Sequence, residues 1–180
     1  CSSDLLYSEI YKLETVCVRL FNVYGDGMPI TGSYRLVLSI FEEQYKKNIP
    51  LTITNDGNQR RDFIHVKDVT DALILFYKSD TKFGGDCFNV GTGKNYTINE
   101  IADMFGGEKN YIGTRLEPME TLADIGKITK CLGWFPKHNI NDYIKSRLWL
   151  IWWYDYLKTM NKKTLRSEEH TSELQSRFGI

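Results

Sequence analysis

The side chains able to do chemistry are few in this chain, and each has a plain reading. Arg61 stands beside Asp62 and reads alone as a surface ion pair. Asn22 reads as a turn residue, and His65, in a strand-like run, as a packed structural histidine rather than a base. Gly91-Thr92-Gly93 lacks the third glycine of a dinucleotide fingerprint and follows a late strand, so it reads as a turn. The acidic residues and the other histidines form no metal-ligand cluster, and no metal site is expected. With a formal net charge of zero, nothing suggests a grip on nucleic acid. A charged ligand must then be held locally, by a few placed basic residues.

The elements that position these residues alternate. Apolar spacing at Leu6, Tyr7, Ile10 and Tyr11 marks the end of a helix. Residues 14–21 (ETVCVRLF) form a buried strand bounded by Asn22 and Gly25. A glycine-rich loop over 24–33 leads to a helix over 34–47, with Leu38, Phe41 and Tyr45 on its apolar face. Pro50 opens a strand at 51–54, and Asn55-Asp56-Gly57-Asn58 makes a tight turn. A strand at 61–66 follows, then a helix capped by Asp68 with an apolar stripe of Val69, Ala72, Leu73 and Phe76. Residues 87–90 form a short strand, Thr97 opens a helix in capping-box spacing with Glu100, and Tyr111-Ile112 end the strands. Helices over 124–132 and 141–157 complete the order, with Gly133 and Pro136 between them. Strands alternating with helices argue an α/β fold. The cluster Trp149, Trp152, Trp153 and Tyr154 reads as core or oligomer surface rather than a ligand stack.

The 180 residues suffice for one good core, and 42% hydrophobic with 26% charged residues describes an ordinary globular chain. Cys1, Cys17, Cys87 and Cys131 form no C-x-x-C pair, and Cys17 and Cys87 fall in apolar runs. Together with the absence of a signal-peptide pattern, this points to a reducing, cytoplasmic compartment. The longest apolar run, over 148–154, is too short to span a bilayer, so no membrane role is expected.

Several short motifs then occur in one order. They are Arg19-Leu20-Phe21-Asn22-Val23-Tyr24-Gly25, Leu51-Thr52-Ile53, Asp56-Gly57 and Arg61-Asp62-Phe63-Ile64-His65-Val66-Lys67-Asp68-Val69. Phe88-Asn89-Val90-Gly91-Thr92-Gly93, Leu122-Ala123-Asp124 and Leu132-Gly133-Trp134 with Pro136 follow. Each alone is weak. Their order, from about Leu6 to Leu157, resembles the NAD-dependent epimerase/dehydratase family of extended short-chain dehydrogenases, in its UDP-glucose 4-epimerase-like branch. Phe21-Asn22 resembles the epimerases and UDP-glucuronate decarboxylases, whereas dTDP-glucose 4,6-dehydratases usually carry Ser-Asn there.

The resemblance implies the C-terminal part of a Rossmann-type enzyme with its smaller α/β substrate-binding domain. Residues 1–24 would end the NAD-binding domain and 25–160 would form mainly the nucleotide-sugar region, with segments returning to the Rossmann sheet. Arg61 matches the arginine that grips the diphosphate, where a planar guanidinium suits phosphate oxygens, and Asn22 matches an asparagine hydrogen-bonded to it. Thr52 and Thr54 match the edge that holds the uracil, Leu36 a helix start offering amides to phosphate, and Phe21 a contact to the nicotinamide end of NAD. Arg115 and Glu117 fill phosphate- and ribose-contacting roles, although the usual R-P-G-E/D pattern is broken here and Met119 stands where a basic residue is common. The implied activity is UDP-sugar 4-epimerisation through a transient 4-keto intermediate. UDP-glucuronate decarboxylation and nucleotide-sugar 4,6-dehydration are the alternatives within the superfamily, and a non-catalytic nucleotide-sugar-binding module is the alternative outside it. The family's catalytic Tyr-x-x-x-Lys pair is expected upstream, since Tyr7 and Tyr11 lack the lysine, so no catalytic residue and no turnover are expected of this piece. Family members are often homodimers. Residues 161–180 are expected to be an irregular tail, because Arg166 to Ser176 (RSEEHTSELQS) resembles an in-frame translation of a sequencing adapter.

Overall fold

A computed structural model describes residues 2–32 and 34–178, and for 2–5 and 161–178, which lie in helices, it describes the backbone alone. Cys1, the Ser33 end of the expected loop and residues 179 and 180 lie outside the described residues. The elements are α1 (Ser2–Tyr11), β1 (Cys17–Leu20), β2 (Asn22–Tyr24), α2 (Val37–Lys46), β3 (Leu51–Thr54), β4 (Arg60–His65) and α3 (Val66–Lys78). They continue as β5 (Cys87–Val90), β6 (Asn95–Thr97), α4 (Ile98–Phe105), β7 (Lys109–Ile112), α5 (Gly126–Leu132) and α6 (Ile140–Phe178). The chain divides into two units, 1–144 and 145–180.

In the first unit, β-branched and aromatic runs make short strands in three small sheets. β1 pairs in parallel with β5, β3 in parallel with β7, and β4 lies between parallel β2 and antiparallel β6. The strand expected over 14–21 is shortened to Cys17–Leu20, and a second strand follows it at once. The Phe21 N–H donates to the Val90 carbonyl at 3.2 Å, still in register with β5, and the next residue, Asn22, takes Phe63 of β4 as partner. The chain changes neighbours at that step, so Asn22 opens a strand instead of ending one in a turn. Asn55 and Gly57, both at positive φ, make the expected turn after β3, but it joins strands of different sheets and closes no hairpin.

One face of β4 enters the core. Ile64 packs with Val69, Ala72 and Phe76 of α3, Phe88 and Val90 of β5, Ile128 of α5 and Trp134. Elsewhere α2 and α4 meet through Phe41 and Phe105, whose rings lie edge to face at 5.9 Å. Thr97 caps α4 as its spacing predicts, accepting from the Glu100 N–H at 3.0 Å while Glu100 accepts from the Thr97 N–H at 2.6 Å. The cap of α3 is not Asp68. β4 runs into α3 without a loop, so the capping position falls on His65, whose Nδ1 accepts from the Lys67 N–H at 3.2 Å. Asp68 sits buried in the first turn, where it accepts from the His138 N–H at 3.0 Å and meets His138 Nδ1 at 2.8 Å.

The second unit is the continuation of α6. Trp149, Trp152, Trp153 and Tyr154 are exposed on it, and Trp149 stacks on Trp153 at 5.8 Å. Helical backbone runs on to Phe178, where an irregular tail is expected from 161. Extending an existing helix adds a hydrogen bond for each residue fixed, and Lys, Leu, Glu and Gln are good helix formers. Among the described residues no helix is long and apolar enough to cross a membrane.

Candidate functional site

Alternation along β4 sends Arg61, Phe63 and His65 to one face and Arg60, Asp62 and Ile64 to the other. Register partners share a face, so Asn22 of β2, opposite Phe63, and Tyr96 of β6, opposite Arg61, join the first group. Asn22 and Arg61 therefore stand on the same side of the sheet. The Asn22 Nδ2 donates to the Asp62 carbonyl at 2.8 Å, which ties its amide to the strand that carries Arg61.

The ion pair of Arg61 is not with Asp62. Neighbours in a strand point to opposite faces, and the guanidinium reaches Glu117 instead, with NH2 2.6 Å from Oε2. Asp62 is fully buried on the other side. It accepts from the N–H groups of Thr92, Gly93 and Ala123 at 2.8, 3.0 and 3.1 Å and from the Thr92 hydroxyl at 2.6 Å. The Gly91-Thr92-Gly93 turn is thus folded around a carboxylate of the protein itself. Gly91 allows the approach, since a Cβ there would sit 2.9 Å from Asp62 Oδ2 and collide with the Ala123 side chain.

Glu117 gathers the other expected residues. Its Oε1 lies 3.3 Å from the Thr54 hydroxyl, 3.2 Å from Asn55 Nδ2 and 3.4 Å from Gln59 Nε2. Arg115 is fixed through its backbone, its N–H donating to Asn55 Oδ1 at 2.7 Å and its carbonyl accepting from Asn55 Nδ2 at 3.1 Å. Thr54, Arg61, Arg115 and Glu117 are thereby brought together, although Thr54 and Glu117 are 63 residues apart. Thr52 shares the face of Thr54 but pairs with Gln44, whose Nε2 donates to the Thr52 hydroxyl at 2.8 Å and whose Oε1 accepts from the Thr52 N–H at 3.1 Å. Leu36 stands just before α2 in extended backbone and offers its first turn no side-chain acceptor. Phe21 lies at the change of partners after β1, half-buried against the core cluster. Among the described residues no hydrogen bond links Phe21, Leu36 or Thr52 to the Glu117 carboxylate. Sequence reasoning passes over Asn55 and Gln59, and the two-residue step from Gln59 to Arg61 was the one signal that could have found the second.

Beyond Phe63 the same face carries a ring cluster. His65 stacks on His138 at 4.4 Å, with Tyr24 and Tyr143 edge-on to His65. Burial and then the facing His138 hold the His65 imidazole below the ordinary histidine range. Burial and then Asp68 push the Tyr24 phenol well above its ordinary value. One Tyr-x-x-x-Lys spacing does occur, at Tyr154 and Lys158. It lies on the exposed part of α6, far beyond the strand end at Arg19, and there the ammonium sits over the ring at 4.5 Å rather than beside the hydroxyl. It is a surface helix pair.

Residues 5–91 match the model of the NAD dependent epimerase/dehydratase family. The UDP-glucuronate 4-epimerase of Thermodesulfobacterium geofontis is 32% identical over 148 residues, covering 77% of this chain and 43% of that protein. The structure of a UDP-glucose 4-epimerase with UDP-glucose from Thermotoga maritima superposes with a TM-score of 0.74 at 25% identity, covering 88% of this chain and 52% of that one. The UDP-N-acetylglucosamine 4-epimerase of Methanobrevibacter ruminantium, solved in complex with UDP-N-acetylmuramic acid, gives 0.70 at 28% identity, covering 84% and 49%. The chain spans about half the length of the curated relatives it matches.

Proposed function

The chain belongs to the NAD-dependent epimerase/dehydratase family, and from that premise we propose that it is the substrate-binding half of a UDP-sugar 4-epimerase. The observation that carries the proposal is the convergence of Thr54, Arg61 and Glu117 on one point of a sheet face that also holds Asn22. Arg61 grips the pyrophosphate, and Asn22 donates to it from the adjacent strand. Thr52 and Thr54 hold the uracil edge. Glu117 accepts from the ribose hydroxyls, and Arg115, whose backbone is pinned by Asn55, contributes charge beside it. The first turn of α2 after Leu36 offers uncapped N–H groups to a phosphate. Residues 1–24 close the NAD-binding domain and 25–160 supply most of the sugar-nucleotide region.

Phe21 fits the cofactor's nicotinamide end on one physical ground. It follows the carboxyl end of a parallel strand where the chain changes neighbours, and ligands of open α/β sheets bind in the crevice at such points. NAD supplies, when bound, the acceptance and return of a hydride. The residues of this chain hold and orient the sugar nucleotide, and proton transfer belongs to a Tyr-x-x-x-Lys pair outside it.

The full-length protein that carries this chain tests the proposal when supplied with UDP-glucose, UDP-N-acetylglucosamine and UDP-glucuronate. Interconversion at C4 of at least one, without net redox change, is the expected result. Release of carbon dioxide from UDP-glucuronate would move the assignment to the decarboxylases, and no turnover of any UDP-sugar by the NAD-loaded protein would refute it.

A further inference from the structure

Gln59 lies just before β4, two residues from Arg61, and is 2% exposed. Its Nε2 is surrounded by acceptors, with the Thr54 carbonyl at 3.1 Å and the Thr54 hydroxyl and Glu117 Oε1 each at 3.4 Å. That environment fixes which end of the amide is nitrogen, since the reverse orientation would set its oxygen against a carboxylate and a carbonyl. Its Oε1 is buried with no hydrogen-bond partner among the described residues. A buried acceptor left without a donor costs free energy, which offsets much of what the Nε2 contacts contribute to the fold.

What the amide achieves is geometric. It joins the last carbonyl of β3 to the carboxylate that Arg61 holds by its other oxygen. Three donors, Thr54, Asn55 and Gln59, fix Glu117 Oε1, and of these only Gln59 approaches from the residues leading into β4. When the guanidinium turns from Glu117 to a pyrophosphate, those three contacts alone keep the carboxylate in place.

We propose that Gln59 is a positioning residue for the nucleoside end of the ligand, holding the Glu117 carboxylate and the Thr54 carbonyl as preset acceptors while Arg61 is given over to the pyrophosphate. This rests on the UDP-sugar assignment of the same site. Gln59 touches the reaction only through Glu117 and Thr54, and its loss weakens nucleoside recognition without weakening the phosphate grip.

Calorimetric titration of the full-length protein with UDP, uridine and inorganic pyrophosphate tests this. In Gln59→Leu, UDP affinity is expected to fall about tenfold, with pyrophosphate affinity and melting temperature little changed. The same factor is expected in KM for the UDP-sugar rather than in kcat. In a Glu117→Gln background, Gln59→Leu should add little, because its effect runs through that carboxylate. UDP binding by Gln59→Leu equal to wild type overturns the inference. So does a parallel loss of UDP, pyrophosphate and thermal stability, which marks a structural residue. If the wild-type protein binds UDP no better than pyrophosphate, the UDP-sugar assignment itself falls, and the inference with it.

Discussion

Two carboxylates on opposite sides of β4 are held in opposite ways. Asp62 is fully buried and receives three backbone N–H groups and one hydroxyl, with no side-chain cation among those donors. Glu117 is part-exposed and receives side chains only, a guanidinium, two amides and a hydroxyl. Backbone donors are fixed by the fold and cannot leave without unfolding a turn. Side-chain donors can rotate toward a ligand at the cost of a rotamer change. A carboxylate held by backbone is a pin, and one held by side chains is a place where partners can be exchanged.

The largest effect separates them by stability. Asp62→Ala strands the Thr92, Gly93 and Ala123 N–H groups together, and is expected to cost at least about 3 kcal/mol in urea denaturation. Glu117→Ala, whose former donors Arg61, Thr54 and Asn55 are part-exposed and whose fourth, Gln59, keeps the Thr54 carbonyl, should cost under about 1 kcal/mol. Similar losses for the two would end the distinction.

The next effect separates them by binding. Arg61→Ala removes the cation assigned to the pyrophosphate and is expected to weaken UDP about 100-fold in the full-length protein. Arg61→Lys should recover only part of this, because an ammonium lacks the planar fork. Arg60, on the opposite face and bonded to Asn95, is the control, and Arg60→Ala should leave UDP affinity within about threefold. Equal losses at positions 60 and 61 would break the assignment of faces.

Gly91 tests the pin by crowding it. A methyl group there collides with the Ala123 side chain and presses on Asp62 Oδ2, so Gly91→Ala is expected to cost about 2 kcal/mol with no selective change in UDP affinity. A neutral result would show that the turn can yield around Asp62.

What the sequence disclosed divides along the same line. The Thr97–Glu100 capping box, the Asn55–Gly57 turn and the strand at 61–66 were legible because the interactions that make them lie within a few residues. The roles given to Arg61, Asn22 and Glu117 come only from the resemblance, and alternation alone could not say that Arg61 would find a carboxylate 56 residues away. The hub at Asp62 was hidden because its donors come from turns 30 and 61 residues on. His65 displaced Asp68 as the cap because a strand passes into a helix there without a loop, a junction that composition does not reveal. The strand opening at Asn22 was hidden for a related reason, since an asparagine after an apolar run reads as a turn and gives no sign of a change in neighbours.

The smallest effect is the sharpest comparison, because the same substitution is made on each carboxylate. Thr92 donates its hydroxyl to Asp62 at 2.6 Å, and Thr54 donates its own to Glu117 at 3.3 Å. Replacing either with valine keeps shape and branching and removes the hydroxyl, which at Thr92 also lies 2.8 Å from the Lys94 carbonyl and accepts from the Lys94 N–H at 3.2 Å, and at Thr54 also accepts from Gln59 Nε2 at 3.4 Å. At Thr92 the carboxylate is buried and the bond is short and charge-assisted, so Thr92→Val should cost about 1–2 kcal/mol. At Thr54 the bond is long and Glu117 keeps Arg61, Asn55 and Gln59, so Thr54→Val should cost under about 0.5 kcal/mol. Denaturation of the two variants side by side measures the difference directly. If Thr54→Val proved the costlier of the two, Glu117 would be as firmly built into the fold as Asp62, and its side-chain partners would not be free to serve a ligand.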